Sequence, residues 1–137
     1  MATKDLYNNV KVVQAIVPGT YKTGADPIGQ AVDTRGYDSV TLLLLAGDAT
    51  DAQTLTVKHS YDNSSYEDID KADVIGGEAI LTDFKTTGTA AGAVKVLGYK
   101  GGKRYLKVGS TGAGTTGAEY AVVAILGHPK YAPVDRS

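Results

Sequence analysis

In parts of this chain hydrophobic and polar residues alternate with a period of two, the spacing that puts successive side chains on opposite faces of a β-strand. Gln53 to Tyr61 is the clearest case: Leu55, Val57, His59 and Tyr61 share one face, and Thr54, Thr56, Lys58 and Ser60 the other. That is the pattern of a strand with one wet side. Asp62-Asn63-Ser64-Ser65 is turn chemistry, so Tyr66 to Ile69 is expected to return as the second strand of a hairpin. Val10 to Val17 forms a strand that Pro18-Gly19 should end, because proline lacks the N–H a ladder needs. Further strands are predicted over Gln30 to Thr34, Ser39 to Ala46, Val94 to Tyr99, Arg104 to Ser110 and Glu119 to Gly127. In Arg104 to Ser110, Leu106 and Val108 should face the core, with Tyr105 and Lys107 outside. The last two of these strands, separated by glycine and threonine, have the grammar of a long-looped hairpin.

Two strands break the rule of one wet face. Leu42 and Leu44 oppose Leu43 and Leu45, while Tyr120, Val122, Ala124 and Leu126 oppose Ala121, Val123 and Ile125. A sandwich layer normally wets one side, so the second face must be covered by the chain's own arms or by another subunit. Less regular is Ala72 to Thr87, which admits a short helical turn near Asp73 to Ile75 and an irregular strand near Ala79 to Phe84. Gly76-Gly77 forbids a long helix there. Loops are expected over Thr20 to Gly29 and Thr86 to Gly92.

The chain of 137 residues thus has about seven or eight short strands and no strong helical period. This predicts a single all-β domain, an antiparallel, jelly-roll-like β-sandwich over 1–137, with an N-terminal arm (1–9) and an extended C-terminal tail (128–137) that holds Pro129 and Pro133. Its 17 glycines, about 12% against a usual ~7%, fit a fold with many turns. A net charge of −1, with both signs interspersed, supplies no field for a phosphate backbone or an anionic membrane, so neither nucleic acid nor membrane is an expected partner. The longest apolar run, Leu42 to Ala46, falls far short of the ~20 residues of a membrane helix, and the opening MATKDLYNNVKVV has no signal-peptide core. Without cysteine, stability must come from packing.

Catalytic chemistry finds little footing. Gly112 to Gly117 matches a G-x-G-x-x-G fingerprint, but the helix and the distant acid that dinucleotide binding needs do not follow it. The carboxylates Asp62, Glu67, Asp68, Asp70 and Asp73 lack calcium-loop spacing. His59 and His128 stand apart from other ligands or nucleophiles, and no G-x-S-x-G elbow exists. No catalytic residue, cofactor or metal is therefore expected. One basic and aromatic cluster stands out, Tyr99, Lys100, Lys103, Arg104, Tyr105 and Lys107. With the exposed halves of the two-sided strands and the tail, it gives an expected interaction set: Leu43, Leu45, Tyr99, Lys103, Arg104, Tyr105, Val123, Ile125, Pro129 and Tyr131.

Two parts of the chain, MATKDLYNNVKVVQAIVP with DTRGYDSVTLLL and VKVLGYKGGKRYLKVGSTGAGTTGAEYAVVAILGHPKYAPV, resemble small head proteins of tailed bacteriophages. The segments from Gly98 to Tyr105 and Gly127-His128-Pro129 carry the resemblance most specifically. It implies a non-enzymatic capsid decoration, or cement, protein on the outer surface of the virion. Such a protein is made in the host cytoplasm, forms a homo-oligomer, commonly a trimer, and has the major capsid protein as partner. A second stretch, Val57 to Ile69 followed by Lys103 to Val108, is similar to galactose-binding-like jelly rolls. That likeness keeps a carbohydrate-binding module as the alternative, beside a head-tail joining or tail component.

Overall fold

The computed structural model describes residues 5–21, 29–49, 53–85, 94–112 and 118–134. Two four-stranded antiparallel sheets form the sandwich. Strands β1 (Val10–Tyr21), β8 (Ala118–Pro129), β3 (Tyr37–Ala49) and β6 (Val94–Tyr99) lie in that order in one sheet; β2 (Val32–Asp33), β7 (Tyr105–Gly112), β4 (Gln53–Ser60) and β5 (Glu67–Asp68) make the other. First pairs with last, second with seventh, third with sixth and fourth with fifth. This nested pairing is the jelly-roll topology.

Between the sheets lies a core built from one half of each alternating strand. Leu42, Leu44, Val122, Ala124 and Leu97 of the first sheet meet Leu55, Val57, Leu106 and Val108 of the second. At one end Tyr21 and Tyr120 pack with ring centroids 5.1 Å apart, a separation favourable for tilted aromatic pairs. As expected, Leu106 and Val108 are buried and Lys107 is exposed.

Three expectations are corrected. The strands at Arg104 to Ser110 and Glu119 to Gly127 are not a hairpin: β7 pairs with β4 and β2, β8 with β1 and β3. Each is an interior strand with partners on both sides, and the chain passes from one sheet to the other between them. Residues 113–117, expected as the hairpin loop and as the core of the glycine fingerprint, lie outside the described residues, as do 22–28 and 86–93 from the other two loops. Secondly, β1 does not end at Pro18 but continues to Tyr21. It is an edge strand of its sheet, and its register slips between Gln14 and Ile16 and again between Ile16 and Gly19, so the proline sits where no regular ladder bond is required. Thirdly, Ala79 to Phe84 is helical rather than extended: α1 spans Glu78–Asp83. Gly76 and Gly77 adopt φ of 96° and 77°, a turn only glycine makes at low cost, and this reverses the chain into a run of better helix formers.

The helical segment closes the β6 edge. Val74 bridges to Tyr99, the Ile75 N–H donates to the Gly98 carbonyl (2.9 Å), and Asp83 on α1 accepts from Lys95 Nζ (3.0 Å), with Phe84 buried beneath. At the other end of the chain, Tyr7–Asn9 form a short 3-10 turn held by the Asp5 carboxylate, and the Val134 N–H donates to the Asn8 carbonyl (3.1 Å). The tail thus straps back over the start of the chain.

Candidate docking face

In an antiparallel sheet directly paired residues project from the same face, so the register assigns the outer surface of the β1-β8-β3-β6 sheet residue by residue. One row runs Val12, Ile125, Thr41 and Gly98, a second Gln14, Val123, Leu43 and Val96, a third Ala121, Leu45 and Val94. No member of these rows is charged. Leu43, Val123 and Ile125 are half-buried by one another, while Val12 is 59% exposed, Val94 53%, Val96 51% and Leu45 42%.

Partial cover comes from the chain itself. Ile75 laps over Gly98, where a Cβ would come within 3.0 Å of its Cδ1. Leu6 and Pro129 border Ile125 and Thr41 at one end of the face, beside the exposed Tyr7. Glu119 marks the opposite end, beyond Ala121 and Leu45. Between these ends no other described residue is seen to cover the face. Exposed apolar side chains are common singly, but a contiguous, uncharged set over four strands is a patch of the kind that marks contact with another molecule.

The second sheet presents the contrast. Asp68, Lys58 and Lys107 lie abreast on its outer face, with Lys58 Nζ 3.8 Å from the Asp68 carboxylate. One layer of the sandwich is wet outside and the other is not.

The basic and aromatic cluster is divided by the fold. Tyr99 turns inward and is buried, its hydroxyl against His59. Arg104 forms a two-pronged pair with Asp33 (Nε–Oδ1 2.8 Å, Nη2–Oδ2 2.7 Å) and stacks its guanidinium 4.8 Å from the Tyr105 ring centre, fastening β2 onto β7. That guanidinium holds the Asp33 carboxyl below the usual carboxylate range. Lys103 pairs with Glu67 and lies 5.0 Å over the ring of Tyr61. Tyr131 stands on the tail at 86% exposure. The structure therefore brings Leu43, Leu45, Val123 and Ile125 together on one face, with Pro129 at its border. Tyr99, Lys103, Arg104 and Tyr105 lie where the chain crosses from β6 of this sheet to β7 of the other.

Sequence reasoning missed Val12, Val94 and Val96 as members of the face. Their strands also carry apolar residues on both faces, Val10 and Val12 against Val13, Ala15 and Val17 in β1, and Val94 and Val96 against Leu97 and Tyr99 in β6, a signal that could have found them. The pairing shows that these side chains continue the apolar rows. The acidic residues are occupied in local structure. Asp62 accepts hydrogen bonds from the Ser64 and Ser65 amides (2.9 and 3.0 Å) and the Ser60 hydroxyl (2.9 Å), which depress its pKa to about 2. Asp70 and Asp73 close a capping box on the 3-10 turn Lys71–Asp73. Among the described residues no group of three or more His, Cys, Asp or Glu is placed to hold a metal ion, and no helix is long and apolar enough to cross a membrane.

In comparisons with known proteins the chain matches no family model, no curated protein and no solved structure.

Proposed function

We propose that this chain is a non-enzymatic structural protein of a tailed-phage virion, which self-associates through the open face of the β1-β8-β3-β6 sheet and docks on the outer surface of the assembled capsid. The observation that carries the proposal is that uncharged, apolar face set against a charged opposite layer. Being free of charge, it brings no like charges together when it meets a second copy. Its flat extent, four strands at ~4.8 Å by about six residues at ~3.3 Å, is roughly 20 by 20 Å. Leu6 and Tyr7 extend it at one end. At about 400 Å² per partner this is about half the standard ~800 Å², the scale of a weak contact rather than an obligate one.

The resemblance of the N-terminal and C-terminal stretches to phage head proteins supplies the partner, the major capsid protein. A cement protein stabilises a shell by binding the assembled lattice and not free subunits, which adds its binding free energy to the assembled state by mass action. The test is the mass of the purified protein in solution and its co-sedimentation with empty heads. An oligomer, with a trimer expected, that pellets with shells supports the reading; a monomer that stays in the supernatant overturns it. Copy number in purified particles separates a decoration protein, present in hundreds, from a head-tail joining component present in a few.

One observation favours the second reading. Tyr61, 71% exposed, and Tyr66 flank Glu67 and Lys103 in a shallow dish, and aromatic faces with polar neighbours are what a sugar ring needs. Saturable binding on a glycan array, lost in Tyr61→Ala, would favour that role.

A further inference from the structure

Near the end of β6 the two layers are joined by side chains. His59 of β4 and Tyr99 of β6 meet across the sandwich, with Nδ1 2.8 Å from the tyrosine hydroxyl and the rings edge-on at 5.8 Å. The hydroxyl also accepts the Lys103 amide (3.3 Å). The neutral tautomer with its hydrogen on Nε2 faces that hydrogen toward Glu67 and leaves Nδ1 to accept the Tyr99 hydroxyl proton, which satisfies every group at the site. That nitrogen lies 3.5 Å from Glu67 Oε1, and Glu67 is ion-paired with Lys103. One ring therefore ties together β4, β5, β6 and the turn from β6 to β7, and its side chain is only 7% exposed.

We propose that the His59–Tyr99 pair is an acid-sensitive clasp between the two sheets, whose protonation at His59 loosens the end of the sandwich carrying β5 and the Lys100–Lys103 turn. A second proton on the imidazole converts Nδ1 from acceptor to donor. The hydroxyl must then rotate to accept from both His59 and the Lys103 amide, and its own hydrogen is left without a partner in a buried place, a costly arrangement.

Surrounding charges do not rescue the protonated ring. Glu67 on β5 and Asp73 on the 3-10 turn favour it, whereas Lys103 opposes it. Burial, reinforced by Lys103, outweighs Asp73 and holds the His59 pKa below its ordinary value of 6.5. The sign follows: an opened state binds the proton more readily than the closed one. Closure is fully favoured above about pH 6.5 and weakens as pH falls below it.

The test is amide hydrogen exchange on the full chain by NMR between pH 7.5 and 5, corrected for intrinsic rates, with the His59 ring titrated in the same samples. Protection of the Lys103 and Ile69 amides should fall at least about threefold more than that of the Leu42 and Leu44 amides on acidification. His59→Asn, whose Oδ1 replaces the Nδ1 acceptor without titrating, should abolish the difference. Should that variant fail to fold, Tyr99→Phe removes the hydrogen bond but keeps the ring. It should lower Lys103 protection already at pH 7.5 and shrink the acid-dependent loss. Protection in the natural chain that does not change with pH, a His59 pKa at or above about 6.5, or an undiminished acid response in either variant would overturn the clasp.

Discussion

Single carboxylates show how much of their work is local. Asp62 begins the Asp-Asn-Ser-Ser turn, and its bonds to Ser64 and Ser65 follow from the short reach of an aspartate to amides two and three positions on. That much was legible in the sequence. Asp33 is different, because its partner Arg104 lies 71 positions away and only the β2–β7 pairing brings them together. Both groups have pKa values lowered in the folded state, Asp62 to about 2 and Asp33 by Arg104 first of all. Their stabilisation is present above the unfolded value near 3.9 and is lost as pH falls through the folded one. Thermal melts of Asp62→Asn should thus converge with those of the natural protein as pH drops from about 4 to about 2, having lain below them at pH 6. For His59 the sequence assigned the correct face of β4, but Tyr99, 40 positions on, could not be named as its partner.

At the scale of elements, close approach of strands sets which glycines are replaceable. Gly29 bridges to Ile16, and a Cβ on it would stand 2.6 Å from the Val108 carbonyl oxygen. That backbone atom has little freedom to yield, so Gly29→Ala is expected to destabilise by about 1–3 kcal/mol in denaturant titrations. Gly109, one residue further along β7, has open space where its Cβ would go. There alanine should be neutral or stabilise by up to about 1 kcal/mol. The two sites look alike in sequence. Likewise the hairpin at Gln53 to Ile69 was legible because its turn is short and rich in turn residues, and β4 and β5 do pair, Lys58 with Asp68 and His59 with Glu67. The arch from β7 to β8 was misread as a hairpin, since two apolar strands flanking a glycine-rich loop carry the same local signal whether they pair or cross between layers.

Considered as a whole, the molecule has one layer with a hydrated outer side and one whose outer side is apolar across all four strands. Under the proposed role, Leu45→Lys combined with Val96→Lys should convert the oligomer to monomer in sedimentation. Both positions are already open to solvent, so unfolding stability should change by less than about 1 kcal/mol. A monomeric natural protein, or a double variant that keeps its assembly, would remove this face from the contact. Alternation of side chains is fixed by the pleat of each strand, a local geometry, so the sequence by itself determined an all-β sandwich, most strand positions and the two-sided character of β3 and β8. Pairing partners are chosen by contacts between segments far apart in the chain, as when Val12 meets Ile125 and Leu43 meets both Val123 and Val96. For that reason only the tertiary structure decided which strands share a sheet, that Val12, Val94 and Val96 complete the open face, and that a buried histidine and tyrosine link the layers.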